Sequence, residues 1–147
     1  MQTSSSTLPQ PSLPSGNYLP VVVHNGIAYV SGQLPRLDGV VQHCGIVGAT
    51  VDLEQARAAA RLCAIQCLAA LDRELGGLTR IVKMLRVTGY VASAAGFAQQ
   101  PAVMDAASDY FCEQLGVAGQ HVRSAIGVAQ LPRGAAVEVE ITVAVRD

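Results

Sequence analysis

The alternation of apolar and polar positions along the chain divides it into seven regular segments. Val21-Val-Val-His24 and Ile27-Ala-Tyr-Val30 are β-branched runs on either side of Asn25-Gly26. That dipeptide suits the two positive-φ positions of a type I′ turn, so the first element is a β-hairpin. Residues 33–50, rich in Gly, Asp and Pro, read as a loop. In residues 52–75, Leu53, Ala56, Ala60, Cys63, Ala64, Cys67, Leu68, Leu71 and Leu75 recur every three or four positions, which predicts an amphipathic helix of about six turns. Asp52 with Gln55 resembles a capping pair, Arg57, Arg61, Asp72, Arg73 and Glu74 mark the wet side, and Gly76-Gly77 ends the helix. Residues 81–91 read as a strand and 101–115 as a second helix, with Pro101 in its first turn and Gly116 as its stop. Residues 122–131 and 135–145 read as two final strands joined by Pro132-Arg133-Gly134.

This order, β-hairpin, helix, strand, helix, β-hairpin, predicts an α+β domain: a mixed sheet with both helices on one face. The other face carries small and apolar residues with a few charges, among them Glu138, Glu140 and Thr142 alternating with Val137, Val139, Ile141 and Val143. Such a face suits burial in a homo-oligomer better than full exposure to water.

Composition narrows the picture. A chain of 147 residues, half of them hydrophobic, is one domain that needs neither disulfides nor metal to build a core. Residues 1–12 are Ser/Thr/Pro/Gln-rich without periodicity and read as a flexible or loosely docked arm, leaving 13–147 as the domain. A net charge of -1 offers no basic stripe for nucleic acid, and four Tyr and two Phe give few stacking platforms. With neither a secretory signal pattern nor a transmembrane run, the expected compartment is the cytoplasm.

Little of the familiar motif chemistry is present. Gly45-Ile-Val-Gly48 lacks the residues of a phosphate loop or a dinucleotide fingerprint. His24, His43 and His121 fall on separate elements and read as surface or loop histidines. Cys63 and Cys67 share a helix face but have no nearby His, so they read as small core residues and not as metal ligands, and all four cysteines are expected to be reduced.

Five segments in order, Gly16-Asn-Tyr18, Ser31-Gly-Gln-Leu-Pro35, His121-Val-Arg-Ser124, Leu131-Pro132 and Val137-Glu-Val-Glu140, resemble the Rid family of reactive intermediate deaminases, also called RidA/YjgF-like and once grouped with translation inhibitors and endoribonucleases. Leu13-Pro-Ser-Gly-Asn-Tyr18, Val47-Gly48 and Ser108-Asp109 are more similar to its longer, L-PSP-like branch. The resemblance implies a chorismate-mutase-like fold and a homotrimer with three clefts between subunits. It further implies that Arg123 holds a substrate carboxylate, that Tyr18, Ser31 and Gly32 line the cleft, and that Glu138 orients water. Ala125 stands where the short archetype often has Cys, and its helix Asn corresponds to either Met104 or Asp105.

The implied chemistry is hydrolysis of 2-imino or enamine acids to 2-oxo acids and ammonia, with no cofactor or metal. A guanidinium can grip the carboxylate through paired hydrogen bonds, and positioning with proton transfer supplies the rest. Structural roles stand beside these: Arg123 neutralising Glu138 or Glu140 across the terminal hairpin, Tyr18 packing at a rim, Ser31-Gly32 ending a strand. Two other functions compete, a non-catalytic trimer that binds a small carboxylate-bearing metabolite and a ribonuclease. The second lacks both a basic surface and a His pair.

Overall fold

The computed structural model describes residues 8–147, so part of the expected arm, residues 1–7, lies outside the described residues. In the remainder of that arm, Leu8 packs partly against the core, and Ser12 donates from its N–H and its hydroxyl to Gln66 Oε1 at 3.3 and 3.2 Å.

The first hairpin forms as expected. β1 (Val21–His24) pairs antiparallel with β2 (Ile27–Gln33), and Asn25 and Gly26 take φ of 50° and 76°. The same turn chemistry recurs inside the expected loop. Asp38 and Gly39, at φ 50° and 79°, fold β3 (Arg36–Leu37) onto β4 (Val40–Val41). These strands are too short to display an alternating pattern, yet Asp-Gly was a legible turn signal.

Helix α1 (Leu53–Leu75) starts at Asp52, whose carboxylate accepts from the Gln55 N–H at 2.8 Å while the Gln55 side chain accepts from the Asp52 N–H at 3.0 Å. It ends where Gly76 turns left-handed at φ 71° and donates to the Asp72 carbonyl. Its inner face is fully buried from Ala56 to Leu71. Leu68 and Leu71 each contribute about 1.5–3 kcal/mol there by leaving water. Small residues let the helix approach the sheet closely, so the Cys63 and Cys67 thiols donate to the Val137 and Val139 carbonyls at 3.5 Å. Burial pushes both thiols up and keeps them unreactive. Alkylation of the native protein is therefore expected to modify the exposed Cys44 and Cys112 and to spare Cys63 and Cys67 until denaturant is added, as peptide mass mapping would read.

The remaining elements are β5 (Ile81–Ala92), α2 (Gln100–Leu115), β6 (Val122–Val128) and β7 (Val137–Val145). The five-stranded sheet runs β1-β2-β7-β5-β6. The expected terminal β-hairpin is not formed, because β5 lies between β6 and β7, parallel to the first and antiparallel to the second. The reason is the crossover: α2 returns the chain parallel to β5, and a connection over residues 129–136, containing a 3-10 turn at Pro132–Gly134, carries it to the other edge of β5. That connection also ends β6 at Val128, short of the expected residue 131.

The helices cover one face, burying Ala28, Val30, Val87, Val91, Val137, Val139, Ile141 and Val143. The opposite face is mixed, as expected. Tyr90, Glu138, Glu140 and Thr142 are half-buried on it, and Val22, Tyr29, Val122 and Ile126 are exposed. Among the described residues no helix is long and apolar enough to cross a membrane.

Candidate functional site

The β2–β7 register shifts between Val30 and Gln33, a bulge that re-aims the backbone at the motif Ser31-Gly32. A Cβ added at Gly32 would lie 2.9 Å from the Glu138 carboxyl carbon, so only glycine lets this carboxylate lie against the strand. Ser31 is a tether: its N–H donates to the Pro20 carbonyl at 2.9 Å and its hydroxyl to the Leu19 carbonyl at 2.6 Å. That fixes the segment carrying Tyr18, which is 53% exposed. Tyr18, Gly32 and Glu138 thus line one cavity of about 220 Å³, with Ser12, Leu13 and Arg36. Arg36 escaped the sequence reading. The Asp38-Gly39 ribbon brings it there, with Nη1 donating to the Gly39 carbonyl at 3.2 Å and Nη2 to Ser15 Oγ at 3.4 Å.

Burial first, and then the charge of Glu140, push the Glu138 carboxyl above the ordinary carboxylate range. Glu140 itself accepts from the Tyr90 hydroxyl at 2.5 Å. That hydrogen bond, with burial second, raises the Tyr90 phenol to about 12. A carboxyl raised in the folded state binds more protons folded than unfolded, so Glu138 favours folding at low pH and disfavours it once the pH rises through its folded value. Glu138→Gln is therefore expected to raise Tm at neutral pH, with the gain vanishing below the ordinary carboxylate range. Thermal melts from acid to neutral pH would read it, and a Tm gain that grew toward acid would contradict it.

Arg123 lies elsewhere. On β6 it stands opposite Val87, which stands opposite Ile141 on β7, and both are buried under the helices. Glu138 stands opposite Tyr90, which stands opposite Ile126. The two rows are an odd number of residues apart along each strand, which puts Arg123 and Glu138 on opposite faces of the sheet. Pairing of Arg123 with Glu138 or Glu140 is thereby excluded. Its Nη1 instead donates to Asp105 Oδ1 at 2.9 Å and Ser108 Oγ at 3.0 Å, and its Nη2 to the Pro101 carbonyl at 3.3 Å, all on α2. Of the two candidates for the family's helix Asn, Met104 is fully buried against Gly89 and Asp105 faces the guanidinium.

His121 lies in a loop, as expected, but it is not free there. Its Nε2 lies 2.9 Å from Ser108 Oγ and its Nδ1 2.6 Å from the Gly119 carbonyl oxygen. The signal was present, since His121 stands two residues before Arg123, at the residue that leads into β6, and strand alternation carried back one residue puts both on the same side. Among the described residues no cluster of three or more His, Cys, Asp or Glu could hold a metal ion.

The family described as "YjgF/chorismate mutase-like, putative endoribonuclease" matches residues 2–141. The chain belongs to this family. Protein TCP17 of Trypanosoma cruzi is 38% identical over 144 residues, covering 97% of this chain and 90% of TCP17. The crystal structure of Atu1372 from Agrobacterium tumefaciens, whose function is unknown, superposes with a TM-score of 0.86 at 39% identity over 88% of this chain and 83% of that one. A Shewanella oneidensis protein described as a "putative endoribonuclease" gives a TM-score of 0.91 at 29% identity over 95% and 92%. The YjgF/chorismate-mutase-like fold, a mixed sheet with two helices on one face, is thus the fold of this chain.

Proposed function

We propose that this YjgF-family protein is a deaminase that hydrolyses reactive 2-imino and enamine acids to 2-oxo acids and ammonia, working as a homotrimer with its sites between subunits. The observation that carries the reading is the ion pair of Arg123. Its side chain is only 20% exposed and already holds a carboxylate, that of Asp105, which is itself 57% exposed and free to yield its place. A small substrate acid offers the same group and can accept two parallel bonds where Asp105 accepts one.

The trimer is supported by the separation of the site residues. One small molecule cannot touch Arg123 on the helix side and Glu138 on the open face of the same sheet, so a site using both needs a second copy. The exposed Val22, Tyr29, Val122 and Ile126 of the open face suit burial against such copies. Imine hydrolysis itself asks for positioning and proton transfer, with no net oxidation or reduction, so no cofactor enters the scheme. The ribonuclease description of the Shewanella relative finds less support here, since a chain of net charge -1 presents no stripe of positive charge to a phosphate backbone.

The test is a coupled assay on imino acids generated in situ, run beside light scattering. Turnover by a trimer supports the reading. Binding of carboxylates without turnover leaves the metabolite-binding alternative, and a stable monomer at micromolar concentration removes the shared site. Asp105→Asn is expected to lower KM for a carboxylate-bearing imine up to about fivefold, because an exposed ion pair is worth about 0–1 kcal/mol and the substrate no longer displaces one. A KM that rose instead would mean that Asp105 orients the guanidinium for the ligand and does not compete with it.

A further inference from the structure

We propose that Ser108 is the proton-transfer residue for the ligand that Arg123 holds, with His121 as the base behind it; the inference rests on the deaminase reading above and adds its acid–base machinery. Three groups from two elements meet at one oxygen. Ser108 comes from α2, Arg123 from β6, and His121 from the residue just before β6. The carbonyl of Gly119 can only accept, so the ring nitrogen 2.6 Å from it, Nδ1, carries the proton. In the neutral ring Nε2 is then an acceptor, and the Ser108 hydroxyl 2.9 Å away donates to it. Arg123 can only donate, so its bond of 3.0 Å ends on the Ser108 oxygen. A hydroxyl has two lone pairs, and the second remains for a substrate or water on this half-buried rim.

The ring is held for this task. Phe111 meets it edge-on with ring centroids 6.0 Å apart. Gly119 has no room for a side chain, since a Cβ would sit 2.5 Å from the Phe111 carbonyl oxygen, so the orienting carbonyl is pressed against α2. A simple tie between β6 and α2 would not need this arrangement, because Arg123 already makes one through Asp105 and the Pro101 carbonyl. The charges around the ring are Arg123 on β6, Asp105 on α2 paired with it, and Lys83 of β5 across a cleft of about 350 Å³ that His121 borders.

The sequence of steps balances. With the carboxylate on Arg123, water attacks the carbon of the protonated imine, its C–O bond forms, and the π pair moves to nitrogen. Ser108 takes a proton from the attacking water as its own passes to His121 Nε2, leaving a carbinolamine. The imidazolium returns that proton through Ser108 to the amino nitrogen. The C–N bond then breaks with its electron pair on nitrogen, and the departing ammonia takes the proton of the carbinol hydroxyl, leaving the 2-oxo acid and ammonium. Protonated Nε2 cannot accept, so the route predicts a fall in kcat/KM on the acid side.

The experiment compares the parent protein, Ser108→Ala, Ser108→Thr and His121→Gln on an imino acid generated in situ, across pH. Loss of a general acid–base group lowers kcat by about 100-fold or more, so Ser108→Ala is expected to lose that much in kcat with KM changed less than about threefold. Ser108→Thr should recover at least about a tenth of parental kcat, and His121→Gln should lose the acid limb of the profile. A merely structural role would lower Tm and leave the pH profile in place. Parental kcat in Ser108→Ala, a defect confined to KM, or an unchanged acid limb in His121→Gln overturns the inference while leaving the deaminase reading intact. Absence of turnover in the parent protein overturns the reading and the inference together. Should Ser108→Ala fold poorly, Ser108→Thr and the His121→Gln profile carry the decision.

Discussion

Arg123→Lys is expected to melt within about 4 °C of the parent protein and to lose about 100-fold or more in kcat/KM on carboxylate-bearing imines. The stability half follows from what Arg123 touches. Its ion pair is with an exposed aspartate, worth about 0–1 kcal/mol, and a lysine ammonium can still reach one of the oxygens now served by Nη1. For a domain of this size 1 kcal/mol moves Tm by about 2–4 °C. The catalytic half follows from geometry. A point charge attracts a carboxylate but cannot form two parallel bonds to it, so the imine carbon is no longer held in register with its water. Had Arg123 been the buried partner of Glu138, its removal would have stranded a carboxylate at about 3–5 kcal/mol. The opposite-face placement removes that outcome. A Lys variant with parental kcat/KM would sink the carboxylate clamp, and one that unfolded would make Arg123 a structural residue after all.

How much of this was legible in the chain depends on the distance over which each signal acts. The Asn25-Gly26 turn, the Asp52/Gln55 capping box and the Gly76 stop all formed where local chemistry put them, because each acts within a few residues. The periodic apolar faces of both helices were equally readable. Strand neighbours were not. Residues 122–128 and 137–145 follow one another around a short Pro-Arg-Gly turn, which is the signature of a hairpin. What separates them is the competition of both strands for the two edges of β5, a choice made by α2 and invisible in either strand alone. The same distance limits the site reading. Motif residues pointed to Arg123, Tyr18, Ser31, Gly32 and Glu138 as candidates, but strand parity decides which of them share a face, and parity across three strands needs the register. Arg36 and the Ser108–His121 pair were hidden for a related reason. Each gains its meaning from residues on other elements, the cavity it shares with Tyr18 and Glu138 for Arg36 and Arg123 at the shared hydroxyl for Ser108.

The largest stability changes are expected where Met104 packs onto Gly89. This residue is on β5 opposite Ala125 and Val139, on the face that α2 covers. Met104 of α2 fills the space its missing side chain leaves: a Cβ at Gly89 would stand 2.5 Å from both Cγ and Cε of Met104, which is fully buried. Methionine is flexible, but its Sδ would be overlapped as well, and Met104 is fully buried within the close-packed core. Gly89→Ala is therefore expected to cost about 1–3 kcal/mol through overpacking, and Met104→Ala about 2–5 kcal/mol through the cavity it opens. The two effects oppose one another, since the alanine methyl enters space that the shortened residue 104 vacates. The double variant should thus be more stable than the sum of the single changes by about 0.5–3 kcal/mol in denaturant melts. Strict additivity would mean that Met104 escapes without strain. The helix also carries Asp105 and Ser108, so a displaced α2 moves them relative to Arg123. Gly89→Ala should therefore weaken carboxylate binding at temperatures where the protein remains folded, and Met104→Ala on the same background should restore part of it. Restored stability without restored binding would separate the packing of α2 from the placement of the site it supports.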